Sequence, residues 1–157
     1  MLLRRAFLFS SVTWAVWIPL AAFGASRSNA PSLVYAIAVV AYSIGHLICH
    51  QLPARSFHLW GASLPVCARC TGIYLSASIT CLVLAWREGG PASFADTRFA
   101  LGDAYTRARL VLFIALIPTA ATLIFEWMTG VTPGNWVRAI AGVPLGAAVA
   151  WAVGMVN

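Results

Sequence analysis

The sequence predicts an all-α fold, a polytopic transmembrane bundle of about five helices forming one membrane domain over residues 1–157. Three observations carry this. Hydrophobic residues make up 61% of the chain, charged residues 9%, and mean hydropathy is +0.85, against about 25% charged residues in soluble domains. The apolar residues come in long uncharged runs, without the period-two alternation that a membrane barrel strand needs. Polar chemistry is gathered into one stretch, Gly45–Tyr74, which holds all three histidines and three of the four cysteines. A core facing water could not hide this much apolar surface in so short a chain, so the solvent is lipid.

The first run, Ala6–Ala25, follows Arg4-Arg5 and precedes Arg27. It is long enough to span, but the basic start and the small residues Gly24-Ala25-Ser26 also fit a secretory signal. Residues 1–26 are read as a signal-like first helix that is retained, with cleavage as the alternative. Asn29-Ala30-Pro31 opens the second helix, Ser32 to about His50. That places His46, Cys49 and His50 on its last turns. The third, Thr71–Trp86, is short and draws on Cys67–Cys70 to complete its first turn; Arg87-Glu88-Gly89-Gly90-Pro91 stops it. Residues 87–109 form an extramembrane loop that holds Glu88, Asp96 and Asp103, three of the four acids. The fourth helix runs from about Leu110 to Met128 with a kink near Pro118. The fifth, Trp136–Val156, carries Gly142 and Gly146 four apart, a spacing that favours close helix packing. Trp60, Trp86, Trp127 and Trp136 fall near helix ends, as an interfacial aromatic belt requires.

Five spans place the Gly45–Tyr74 stretch and the Met128–Asn135 turn on the same face of the membrane. Glu126, Asn135 and Arg138 therefore share a side with the cysteines. The net charge of +6 comes from ten arginines with no lysine, and they divide five to five between the two faces. Setting aside Arg55, Arg69 and Arg138 as site residues favours a cytoplasmic 87–109 loop and an outward-facing cluster; the signal-like N-terminus argues the opposite. The expected location is the cell inner membrane, multi-pass, with the lipid bilayer as partner. No basic stripe points to nucleic acid, and the number of protomers is left open.

His46, Cys49 and His50 are spaced i, i+3, i+4 and would share one helical face. Cys67 and Cys70 form a C-x-x-C pair before the third helix. Together they suggest a tetrahedral site for zinc or another transition metal, with Cys49, His50, Cys67 and Cys70 as ligands and His46 as a substitute. A three-ligand version leaves a position for water, as catalytic zinc needs. Adjacent residues on a helix diverge by about 100°, so Cys49 and His50 can share a metal only if the helix ends there. Two readings compete with the metal. One is a redox dithiol at Cys67 and Cys70, with Arg69 favouring a thiolate. The other is plain packing of small thiols or an inert disulfide. Covalent haem attachment needs C-x-x-C-H, and Thr71 stands where that histidine would be. Cys81 reads as core packing and His58 as a solvated loop residue.

Glu126 is the sole acid inside an expected span, and an intramembrane acid is functional by default. In a metal-dependent enzyme it would be a general base or a ligand. The plainer reading is an interfacial carboxylate paired with Arg138. Arg55, Arg69 and Arg138 could bind a phosphate or carboxylate, although each taken alone is more simply a headgroup contact or helix-end charge.

The segments CHQLPARSF and LPVCARCTGIY resemble a family of small prokaryotic membrane proteins, domain of unknown function 2085. The residues that carry the likeness are Cys49, His50, Gln51, Pro53, Arg55, Ser56, Phe57, Gly61, Pro65, Cys67, Arg69, Cys70, Gly72, Ile73 and Tyr74. Glu126, Asn135, Arg138, Gly142 and Gly146 look like a second block of the same family, with Glu in place of its more usual Asp and Pro133-Gly134 in place of a more polar run. The resemblance covers the chain from the second helix onward and implies no particular reaction. The resulting expectation is an integral membrane protein with a Cys/His zinc-type site at one interface. It would act as a metal-dependent enzyme on an anionic amphiphilic substrate, with Glu126 moving protons and the arginines gripping the anionic head. The alternatives are a metal-handling transporter and a membrane thiol redox protein; the sequence does not decide whether the chain is an enzyme.

Overall fold

The computed structural model describes residues 2–27, 29, 31–88 and 101–155. Among these, the helices are α1 Leu2–Ala25, α2 Ser32–Ile48, α3 Ala68–Glu88, α4 Leu101–Thr129 and α5 Asn135–Met155. The architecture is all-α, and four of the helices are long and apolar enough to cross a membrane. The remaining one, α2, is apolar but 17 residues long, the lower limit for a span of about 17–25 residues. Large apolar side chains such as Phe113, Ile114, Ile117, Ile140 and Leu82 lie exposed on the outer faces. That arrangement suits a lipid solvent and no aqueous one.

The helices pack in the order α2, α1, α3, α5, α4, with α3 against α5 as the most extensive contact. Glycine makes that contact close. A Cβ at Gly72 would overlap the Ala139 carbonyl, one at Gly142 the Arg69 carbonyl, and one at Gly146 the Ile73 carbonyl. Two backbones therefore touch directly, and dispersion and close packing hold the pair where lipid supplies no hydrophobic drive. Thr119 Oγ1 donates to the Ala141 carbonyl at 2.8 Å and pins α4 to α5.

Several boundaries differ from the sequence expectation. The fourth helix begins at Leu101 rather than near Leu110, so the last part of the expected 87–109 loop is helical. The Gly89-Gly90-Pro91 stop and Asp96 lie outside the described residues. Pro118 sits inside α4, as Pro19 and Pro144 sit inside α1 and α5. The second helix ends at Ile48, and Cys49 is extended with φ −150° and ψ 142°. His46, Cys49 and His50 therefore do not share one helical face. The Cys49 N–H closes the last turn on the Gly45 carbonyl at 2.8 Å, and Gln51 then takes a left-handed φ of 45° that turns the chain away.

Between α2 and α3 the chain forms a single 3-10 turn, Pro53–Arg55, and a short hairpin, β1 His58–Leu59 with β2 Ala62–Ser63. The hairpin is absent from the sequence expectation. Its two-residue turn, Trp60-Gly61, has φ values of 53° and 84°, the pattern of a type I′ turn in which both central residues are left-handed. Trp60, Trp127 and Trp136 are exposed at this end of the bundle and Trp86 near the C-terminal end of α3.

Gly72→Val is expected to destabilise the folded bundle by about 2 kcal/mol or more, since the added atoms meet backbone that cannot yield. Gly134, whose surroundings are open, should accept alanine with little change. Thermal unfolding in nanodiscs compares the two; equal melting temperatures would contradict the close α3–α5 contact.

Candidate metal centre and buried arginine cluster

Cys67 is the residue before α3, its carbonyl accepting the first helical hydrogen bond from Thr71 N–H at 2.9 Å, and Cys70 lies in the first turn. The C-x-x-C spacing therefore turns both side chains around one helix N-terminus. Cys49, at the end of α2, meets them there. The Cys49, Cys67 and Cys70 sulfurs lie within 4.8 Å of one another. Sulfurs on a tetrahedral zinc, at roughly 2.3 Å from the ion, would lie about 3.8 Å apart, so the donor set fits such an ion with small adjustment. The Cys67 backbone N–H donates to Cys49 Sγ at 3.2 Å. Hydrogen bonds from the Cys67 and Cys70 thiols, joined by backbone N–H groups of Gln51 and Cys67, outweigh burial and hold the Cys49 thiol far below the usual range, at about 2. Ile18, Ala22, Leu64 and Val66 form a buried apolar cluster against which Cys49, Cys70, Trp14 and Tyr74 pack.

The connection that delivers Cys49 is tied by side-chain bonds to backbone. Gln51 Nε2 donates to the Tyr42 carbonyl at 2.7 Å and the Pro65 carbonyl at 2.6 Å. The Tyr42 hydroxyl donates to the Ser63 carbonyl. Gly45 leaves room for this approach, because a Cβ there would overlap the Pro65 carbonyl oxygen and the Gln51 amide. The residues before α3 are in this way clamped to the last two turns of α2.

A second cluster lies at the same end of the bundle. Glu126, in the last turns of α4, is buried; its Oε1 accepts from Arg138 Nη2 at 2.8 Å and forms an ion pair with Arg55 Nη2 at 2.7 Å. Its Oε2 lies 3.7 Å from Arg69 Nη2, which also donates to Thr122 Oγ1 at 3.2 Å. Asn135 Nδ2 donates to the Ser56 carbonyl at 3.0 Å. The α2–α3 connection and the α4–α5 turn therefore meet at one end of the bundle. One carboxylate gathers cations from the connection, α3 and α5.

Among the expected site residues, the structure brings Cys49, Cys67 and Cys70 into one group and Arg55, Arg69, Arg138 and Glu126 into another. His46 and His50 are exposed and are not part of the three-thiol group; His58 is exposed as well. Cys81 is buried in the helix packing, where it receives a Ser11 hydroxyl contact at 3.8 Å. Sequence reasoning missed the clamping role of Gln51 and Tyr42. The signal for Gln51 was its place in the CHQ segment, directly after the helix end.

A family described as "Predicted membrane protein (DUF2085)" matches residues 49–152. An uncharacterised protein of Methanocaldococcus jannaschii is 34% identical over 84 residues, 54% of this chain and 47% of its own length. An uncharacterised protein of Methanothermobacter thermautotrophicus is 35% identical over 104 residues, 66% of this chain and 81% of its own. The match thus spans about half the length of the first of these relatives. No solved structure matches the chain.

Two outcomes follow from the geometry. Glu126→Ala removes the shared acceptor and leaves buried guanidinium groups unpaired, and should lower stability by about 3–5 kcal/mol in denaturant unfolding. A loss under 1 kcal/mol, on the scale of exposed pairs of roughly 0–1 kcal/mol, would mean that the cluster is solvated. For Cys49, a depressed folded value means that the thiolate persists as pH falls, until the pH approaches about 2. Alkylation of Cys49 in chelator-treated protein should therefore stay nearly flat between about pH 8 and pH 5, where an ordinary thiol slows about tenfold per unit. Peptide mass spectrometry reads the rate at each cysteine.

Proposed function

The chain belongs to this family of predicted membrane proteins, and on that footing we propose that it is a membrane metalloprotein with a zinc-type site at one interface. Cys49, Cys67 and Cys70 would hold the ion as thiolates, leaving one coordination position for an exogenous ligand. The observation that carries this reading is the convergence of three sulfurs within 4.8 Å from two helix ends. The setting supports it. A backbone N–H points at one sulfur, the N-terminal end of α3 favours negative charge, and apolar side chains shield one side of the group. His46 and His50 are not needed in this arrangement.

The reading extends to a metal-dependent enzyme of the cell inner membrane acting on an anionic amphiphile. A bound divalent ion would supply Lewis acidity toward a substrate oxygen. The chain's own residues would do the rest. Arg55, Arg69 and Arg138 would bind the anionic head, and Glu126 Oε2, buried without a hydrogen-bond partner among the described residues, would be the oxygen that takes up a proton. The two clusters share a wall, because Arg69 lies between Cys67 and Cys70 at the start of α3 and reaches Glu126.

Metal analysis of protein purified with its thiols kept reduced tests the proposal. The expected result is about one ion per chain, lost in Cys67→Ser and Cys70→Ser and retained in His46→Ala and His50→Ala. A reduced, folded, metal-free wild type would overturn it. A disulfide linking Cys49 to Cys67 or Cys70 in the native protein would favour thiol redox chemistry instead.

A further inference from the structure

The cluster around Glu126 holds more cation than anion. Arg55, Arg69 and Arg138 converge on one carboxylate, which leaves two positive charges in excess within the group. The Arg138 side chain is 2% exposed and that of Arg69 14%, so solvent screens them little. Buried charges persist when they are paired and hydrogen-bonded. Hydrogen bonding in the cluster is also incomplete. Arg138 Nε, Arg138 Nη1 and Arg69 Nε are buried without a partner among the described residues. The fourth such atom, Glu126 Oε2, is held by the Arg69 cation at 3.7 Å. The unmet groups are thus donors on guanidinium nitrogens, whose planar fork suits bidentate oxyanions.

We infer that this cluster binds a phosphate-type oxyanion, specifically a terminal phosphate monoester. Such a group carries a charge of roughly −1.5 to −2 and three strong acceptor oxygens. That matches two excess charges and three unmet guanidinium nitrogens. A carboxylate or phosphodiester, with one charge and two free oxygens, meets neither count. Water alone could satisfy the donors but would not neutralise the charge. A divalent ion on three thiolates would leave one negative charge nearby, and the two clusters together would still be positive. Placement favours a headgroup. Glu126 lies near the C-terminal end of α4 and Arg138 in the first turn of α5, beside exposed Trp127 and Trp136, residues that settle at the headgroup level. Arg55, 41% exposed by side chain, marks the side of approach.

This inference deepens the anionic-substrate half of the function proposed above and does not depend on the metal. The test uses the full chain in phosphatidylcholine nanodiscs doped with phosphatidic acid, a monoester, or phosphatidylglycerol, a diester. Retained lipid is read by native mass spectrometry. Selective retention of phosphatidic acid is expected, weakened about tenfold in Arg55→Gln by loss of one charge-assisted contact. Arg55 is the most exposed of the three arginines, so this variant should keep the fold, which circular dichroism checks. Arg69→Lys, which keeps charge and loses the fork, should also weaken it. Displacement by added inorganic phosphate would assign the site to free phosphate as well as lipid; resistance to it would assign the site to the lipid alone. Equal retention of the two lipids, or retention unchanged in both variants, would overturn the inference. Zinc content of the same samples separates the two proposals. Metal-free protein that still selects the monoester overturns only the metal reading, and zinc-loaded protein without selection overturns only this one.

Discussion

A single buried carboxylate organises one end of this bundle. Glu126 is shared by Arg55 and Arg138 and faces Arg69, so it joins the α2–α3 connection, α3, α4 and α5 at one point. In an apolar medium an ion pair stands only if its attraction and hydrogen bonds offset the loss of hydration. Arginine meets that requirement. The guanidinium group is weakly hydrated, always charged, and offers several donors in a fixed plane. The acid sits near a helix end, where Arg55 retains contact with solvent.

The start of α3 serves both clusters. Cys67 and Cys70 look toward the end of α2, and Arg69 between them reaches α4. Helical geometry makes this division natural, because consecutive side chains diverge by about 100° while positions three apart return to one side. The thiol group and the Glu126 cluster therefore share one turn of backbone. The glycines of α3 and α5 fix that turn: Gly142 lies directly on the Arg69 carbonyl and Gly72 on that of Ala139.

Much of this was legible in the sequence, for physical reasons. Uncharged runs report spans because lipid forbids unpaired backbone polar groups. The acid in a span and the arginines near span ends pointed to one another because charge in an apolar medium must find a partner. Topology alone placed Glu126, Asn135 and Arg138 with the cysteines. The local backbone was less readable. Periodicity carried α2 through His50, whereas the chain leaves the helix at Cys49, held by bonds from Gln51 to two carbonyls distant in sequence. The Trp60-Gly61 hairpin was hidden because a large aromatic in a left-handed conformation is uncommon. The α4 start was misplaced because the polar residues of its first turns read as loop.

The close α3–α5 contact divides the molecule into two leaves. With carbonyls seated on glycines, α3 and α5 form one closely packed plate, and α4 is fastened to it. The second helix packs chiefly on α1, and it carries Cys49 at its end. Two of the three sulfurs thus belong to the plate and the third to the other leaf. The bonds from Gln51 and Tyr42 to the residues before α3 already fasten the two leaves, and an ion held by all three sulfurs would add a second clasp at the same seam.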